Sequence, residues 1–135
     1  MTNHIGNLES PFASDDPLSG TIIGAAIAVH KSLGPGLLES VYQECMAIEL
    51  EFPGIPFRQE VPVPIVYRGR SLKAKHKLDL IVDDRIVVEL KAVDALAKIH
   101  DAQVLTYLRL TNVRIGLLIN FNVPLLRDGL KRVVL

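Results

Sequence analysis

Residues 78–91 (LDLIVDDRIVVELK) hold two apolar runs, and beside the central Asp83-Asp84-Arg85 three further charges sit in or against those runs: Asp79, Glu89 and Lys91. Burying an unpaired carboxylate costs several kcal/mol, so these residues must be paired, solvated or holding a cation. The runs 78–82 and 86–90 flank Asp83-Asp84-Arg85, which is the pattern of a β-hairpin. Side chains alternate along a strand, so Glu89 and Lys91 point the same way. A three-residue loop pairs Val82 with Ile86 and carries Asp79 opposite Glu89. A two-residue turn pairs Asp79 with Val88 and sends the carboxylates to opposite faces. Like charges across a ladder repel. The odd register therefore requires a metal ion, or Lys91, to neutralise the pair, and that requirement marks a candidate site.

The rest of the chain has to position this hairpin. Residues 1–15 are polar, lack periodicity and include Pro11, so they are expected to form a flexible tail ahead of a single domain over 16–135. Asp16-Pro17 reads as an N-cap and first helical residue, opening a helix to about Leu33 that Gly34-Pro35-Gly36 stops. A second helix is expected from about Leu37 to Phe52, with Val41, Cys45, Ile48 and Phe52 as its buried stripe. Glu39, Tyr42 and Gln43 share another of its faces, and Glu39 in the first turn suits the helix dipole with or without a site. Pro62 and Pro64 make 61–67 an edge strand. A strand over about 71–82 opens with Lys73, Lys75, His76 and Lys77, either a solvated end or a phosphate-contacting patch. A helix over about 95–110 carries His100, Gln103 and Tyr107 as a polar stripe. A buried strand is expected at 114–120, and 125–135 is an amphipathic piece of either type.

Bulk composition bounds the function. At 135 residues, 49% hydrophobic and 22% charged, the chain suits one soluble domain with a real core. No apolar run approaches the roughly 18 residues a membrane span needs, and the N-terminus lacks the pattern of a secretory signal. Cys45 is the single cysteine, which excludes an internal disulfide, a zinc knuckle and a self-contained iron–sulfur site. These features together favour the cytoplasm. Net charge is zero but uneven: residues 1–60 hold two Lys/Arg against eight Asp/Glu, residues 61–135 thirteen against seven. The second half can offer a basic face although the whole chain cannot.

Gly36, Glu39 and Tyr42, in the run GLLESVY, fit the signature that names the GxxExxY protein family. Five more blocks follow in order: 61–69, Leu78-Asp79, 88–91 (VELK), 103–108 (QVLTYL) and 116–121 (GLLINF). The resemblance spans about residues 18–134. That family is similar to the PD-(D/E)XK nuclease-like superfamily, which implies an α/β fold with an αβββαβ core, a mixed four-stranded sheet flanked by helices. By this resemblance Asp79 matches the superfamily's central aspartate and Glu89-Leu90-Lys91 its (D/E)-X-K tripeptide. Glu39 matches an acidic residue on the first core helix, and Gln103 a polar residue on the helix after the tripeptide. The proline that gives the superfamily its first letter is absent, with Leu78 in its place.

What the resemblance implies is phosphodiester hydrolysis in DNA or RNA, with Glu39, Asp79, Glu89, Lys91 and Gln103 as the catalytic set. Hard oxygen donors suit Mg²⁺ or Mn²⁺, held by Asp79, Glu89 and the Leu90 carbonyl, with Glu39 adding a ligand directly or through water. Tyr42, Lys75, Lys77 and Tyr107 are candidate substrate or phosphate contacts. Nucleic acid is the implied partner, and a core this small is expected to gain grip from a homodimer or a protein partner. Another class of function stays open: a non-catalytic nucleic-acid-binding or protein-interaction module on the same scaffold, since fold does not establish activity.

Overall fold

In the computed structural model, which describes residues 7–9, 16–73 and 76–135, helix α1 runs Pro17–Leu33. The Asp16 carboxylate accepts the Leu18 amide at 3.0 Å and Pro17 takes the first turn, as their residue types require. Gly34, at φ +68°, ends the helix and returns its N–H to the His30 carbonyl.

Helix α2 (Glu39–Glu51) forms where expected but is rolled about its axis. Its buried residues are Tyr42, Met46, Ala47 and Leu50 rather than Val41, Cys45, Ile48 and Phe52. Ile48 and Phe52 are 53% and 81% exposed. One residue of phase is about 100° of rotation, and Tyr42 sets that phase. Its ring stacks on Phe121 with centroids 4.4 Å apart. Its hydroxyl donates to the Gly34 carbonyl at 2.6 Å and accepts the Leu37 N–H at 3.2 Å. A tyrosine whose hydroxyl is satisfied in this way is a large core group.

Six strands form one sheet: β1 (Asn7–Glu9), β2 (Phe57–Val63), β5 (His76–Val82), β6 (Ile86–Lys91), β7 (Ile115–Asn120) and β8 (Leu130–Val134). Their order is β1-β8-β7-β6-β5-β2, so β2 is an edge strand, as its Pro62 demands. A separate hairpin, β3 (Val66–Tyr67) and β4 (Arg70–Ser71), rises between β2 and β5. The expected strand over 61–67 therefore starts earlier and ends at Val63, before Pro64, and the strand expected from Ser71 begins only at His76. Strands β6 and β7 are parallel, linked by helix α3 (Lys98–Thr111), and the other pairs are antiparallel.

The expected αβββαβ core is thus present in a mixed α/β sheet, and its four strands β2, β5, β6 and β7 are extended by β8 and β1. Residues 125–135 supply a 3₁₀ turn (Leu126–Gly129) and β8. Strand β1 lies within the stretch read as a tail and pairs with β8. The remainder of 1–15 lies outside the described residues.

Helices α1 and α2 cover one face of the sheet, against Leu80, Val82, Val88, Leu90 and Ile119. Helix α3 covers the other, against Ile81, Val87 and Leu118. Gly116 lets α3 lie close, because a Cβ there would stand 2.5 Å from Val104 Cγ1. No helix among the described residues is long and apolar enough to cross a membrane.

Candidate active site

The site begins at the β5–β6 loop. Asp83 and Asp84 both take left-handed φ, +53° and +51°. The Arg85 N–H closes onto the Val82 carbonyl at 3.0 Å, as in a type I′ turn. Arg85 is one residue in excess of that turn, so the loop is odd. Val82 pairs with Ile86, Ile81 with Val87 and Leu80 with Val88.

This register carries Asp79 to Glu89, and there the ladder ends. The Asp79 N–H donates to Glu89 Oε1 at 3.0 Å, and the Leu90 N–H donates to Asp79 Oδ2 at 2.8 Å. The exchange is reciprocal, which fixes both side chains to backbone.

The other side of β5 is disturbed at the same level. Strand β2 pairs with β5 from Phe57↔Val82 to Val63↔His76, with a break where Glu60 meets Asp79. Glu60 has φ +50°, a conformation that costs a non-glycine residue about 1–2 kcal/mol. Leu80 and Val82 pack with the α1–α2 cluster, whereas Leu78 packs with the α3 cluster, although alternate residues of a regular strand share a face. Phe57 and the Val61/Val63 pair divide in the same way. Both strands roll over at the Glu60–Asp79 level, and β5 leaves β6 there.

Burial dominates the electrostatics. Glu89 is 3% exposed. Its carboxyl is pushed up to about 8, first by burial and then by the Asp79 charge, against the lowering effects of the Asp79 N–H and Lys91. Asp79 is also raised, again mainly by burial, with the Leu90 N–H and then Lys91 opposing, and the Glu39 charge adding to the rise. The two carboxyls also act on each other directly, the Asp79 charge adding to the rise at Glu89.

Lys91 donates from Nζ to Gln103 Oε1 at 3.2 Å, so β6 and α3 are tied at the site. Gln103 also bonds the Tyr107 hydroxyl, whose pKa is raised by burial and by the Glu89 and Asp79 charges. Asp79, Glu89, Lys91, Gln103 and Tyr107 therefore come together. Glu39 is exposed in the first turn of α2, with its charge felt at Asp79. Among the described residues no group of three or more His, Cys, Asp or Glu converges to hold a metal ion.

Of the expected phosphate contacts, Tyr42 is placed where it cannot act as one: it is fully buried with its hydroxyl bonded to Gly34 and Leu37. Its part is to fix the 34–37 loop that delivers Glu39. Lys77 is exposed beside Pro62, two residues before Asp79, and Lys75 lies outside the described residues. His100 caps its own helix, Nδ1 accepting the Ala97 N–H at 2.9 Å.

Asn120 was not singled out from sequence. It is buried, accepts the Val93 N–H at 3.1 Å, donates to the Val93 carbonyl at 2.9 Å and accepts the Asn122 N–H at 3.2 Å. It pairs with Lys91 across the parallel ladder and anchors the chain just after it. The available signal was an amide closing an otherwise apolar strand, IGLLIN.

A protein-family model described as the PD-(D/E)XK nuclease superfamily matches residues 16–133 of the chain. Comparisons with curated protein sequences and with solved structures give no match.

Proposed function

Because the chain belongs to the PD-(D/E)XK nuclease superfamily, we propose that it is a divalent-metal-dependent nuclease hydrolysing phosphodiester bonds in DNA or RNA. The observation that carries this reading is the Asp79–Glu89 pair, locked by reciprocal backbone bonds at 3.0 and 2.8 Å beside Lys91. The donor set fits Mg²⁺ or Mn²⁺. Half-buried Asp79 and buried Glu89 offer hard oxygen donors whose ionisation burial disfavours, and a compact dication between them would let both ionise.

Asp79, Glu89 and the Leu90 carbonyl would hold the ion, with Glu39 reaching it through water from the start of α2. When bound, a divalent cation supplies Lewis acidity and lowers the pKa of coordinated water. Lys91, one pleat beyond Glu89, orients the attacking water and offsets the charge that grows on the phosphate oxygens. Gln103 holds the Lys91 ammonium in place, and Tyr107 holds Gln103. The finer family assignment belongs to the same proposal. Gly36 at φ +100°, Glu39 and Tyr42 each have a structural reason at those spacings: the loop, the charge and the clamp.

The test is cleavage of mixed DNA and RNA substrates with Mg²⁺ or Mn²⁺ by wild type, Asp79→Asn and Lys91→Ala. Wild type is expected to cut, and each variant to lose about 10²-fold or more in rate. Lys91→Ala should keep the cation affinity that Asp79→Asn loses. A folded wild type that cuts nothing with either metal overturns this reading in favour of the non-catalytic module, the alternative consistent with Glu39 standing off from the pair.

A further inference from the structure

A cleft of about 510 Å³ opens beside the candidate site, and its lining includes Lys91 and Gln103 themselves. Its apolar wall is Ile65, Ile99 and Leu110, and its aromatic and imidazole groups include Tyr107 and His76, with ring centroids 6.4 Å apart and planes at 59°. The volume lies in the range that holds one small-molecule-sized unit such as a nucleoside. A base inside an intact duplex cannot enter such a cleft, because stacking and pairing hold it in the helix.

The rim of the cleft is continuous with the β3–β4 hairpin. The Leu72 N–H donates to the carbonyl of Ile65, a lining residue, at 2.9 Å. The hairpin turns through Arg68 (φ +50°) and Gly69 (φ +76°) and presents exposed Tyr67, Arg68 and Arg70. Positive charge that tracks a backbone, beside a pocket lined by flat rings, is the pattern by which proteins hold unpaired strands.

We propose that the cleft between β6, α3 and the base of the β3–β4 hairpin takes one unpaired base next to the reacting phosphate, so that the substrate is single-stranded nucleic acid. This rests on the nuclease reading for the identity of the reacting phosphate. Lys91 and Gln103 face both the carboxylate pair and the cleft, so a base seated there places its own phosphate against Asp79 and Glu89. The apolar wall excludes water from the base, and the hairpin arginines follow the strand outward.

The experiment measures binding of the full chain, in EDTA, to fluorescein-labelled 20-residue DNA and RNA single strands, their blunt duplexes, and an abasic deoxyribose-phosphate strand of equal length. A single strand of at least one sugar type is expected to bind about tenfold more tightly than its duplex and than the abasic strand. Ala102→Leu fills the cleft from an exposed, helix-compatible position. It should weaken single-strand binding about fivefold and leave the abasic strand unchanged. Arg68→Gln with Arg70→Gln should lower the salt dependence of both by about two counterions. Equal binding of duplex or abasic strand, or indifference to Ala102→Leu in a protein that melts like wild type, overturns the proposal. Rapid cleavage of duplex with no single-strand preference would leave the nuclease reading standing and remove this one. Base-dependent binding without any cleavage would do the reverse.

Discussion

Glu89 keeps a proton to about pH 8 because burial and the Asp79 charge both oppose its ionisation. In the unfolded chain the same group ionises near 4.5. Between those values the folded protein binds a proton that the unfolded one has released, so stability of the metal-free protein falls as pH rises. Below about 4.5 both states are protonated and the penalty is absent, and above about 8 it is present in full. Urea unfolding in EDTA should therefore show wild type weaker at pH 8.5 than at pH 5.5 by on the order of 3 kcal/mol. Glu89→Gln should flatten most of that slope and be the more stable protein at pH 8.5. A wild-type profile flat over this window would show that the carboxyl is not buried as described. Sequence made this pair legible only conditionally: an odd Asp83-Asp84-Arg85 loop puts Asp79 at Glu89, a two-residue turn does not, and the fold takes the odd one. Two features stayed hidden: the backbone amides that clasp the pair, and the left-handed Glu60 opposite Asp79. Nothing in a glutamate's type announces φ +50°, because the conformation is imposed by the two strands rolling over together.

At the scale of elements, both helices that flank the candidate site were legible, but the phase of α2 was not. Two apolar stripes one residue apart compete on that helix, and the choice depends on whether the Tyr42 hydroxyl finds partners, which only the Gly34–Leu37 loop supplies. Tyr42→Phe should keep the stack on Phe121 and leave the Gly34 carbonyl and Leu37 N–H without that hydroxyl. The expected loss is about 1–3 kcal/mol in urea unfolding, the range for orphaned buried polar groups. Tyr42→Leu, which also gives up the ring, should lose clearly more. If Tyr42→Phe matched wild type, the hydroxyl would not be what sets the phase of α2. The short strands were illegible for a related reason. The pairing of β8 with β1 and β7 is tertiary, and neither sequence carries enough alternation to declare it. Asn120 likewise reads as a strand-ending amide until Val93 is seen within its reach.

Across the whole molecule, the six-stranded sheet holds its buried charge where β5 leaves β6, and that placement links folding to proton binding and, under the proposed function, to cation binding. A divalent ion bound at Asp79 and Glu89, as proposed, would have to displace the proton that burial keeps on Glu89, so its affinity would rise with pH up to about 8 and level off above it. Such an ion would bind only the folded chain, since the carboxylates meet through the sheet, and would add stability by mass action: about 2.7 kcal/mol when the free ion is at 100 times its dissociation constant. Thermal melts in millimolar Mg²⁺ or Mn²⁺ should thus show a rise of several degrees at pH 8.5, a much smaller one at pH 6, and reversal by EDTA. The metal-free protein is at its weakest at the higher pH, so the ion should restore there what Glu89 ionisation removes. Asp79→Asn should abolish the rise at both pH values, while Lys91→Ala should retain it, because Lys91 faces Gln103 and the cleft. A rise that is equal at the two pH values, or that survives in Asp79→Asn, would place the cation elsewhere on the molecule and separate the buried pair from metal binding.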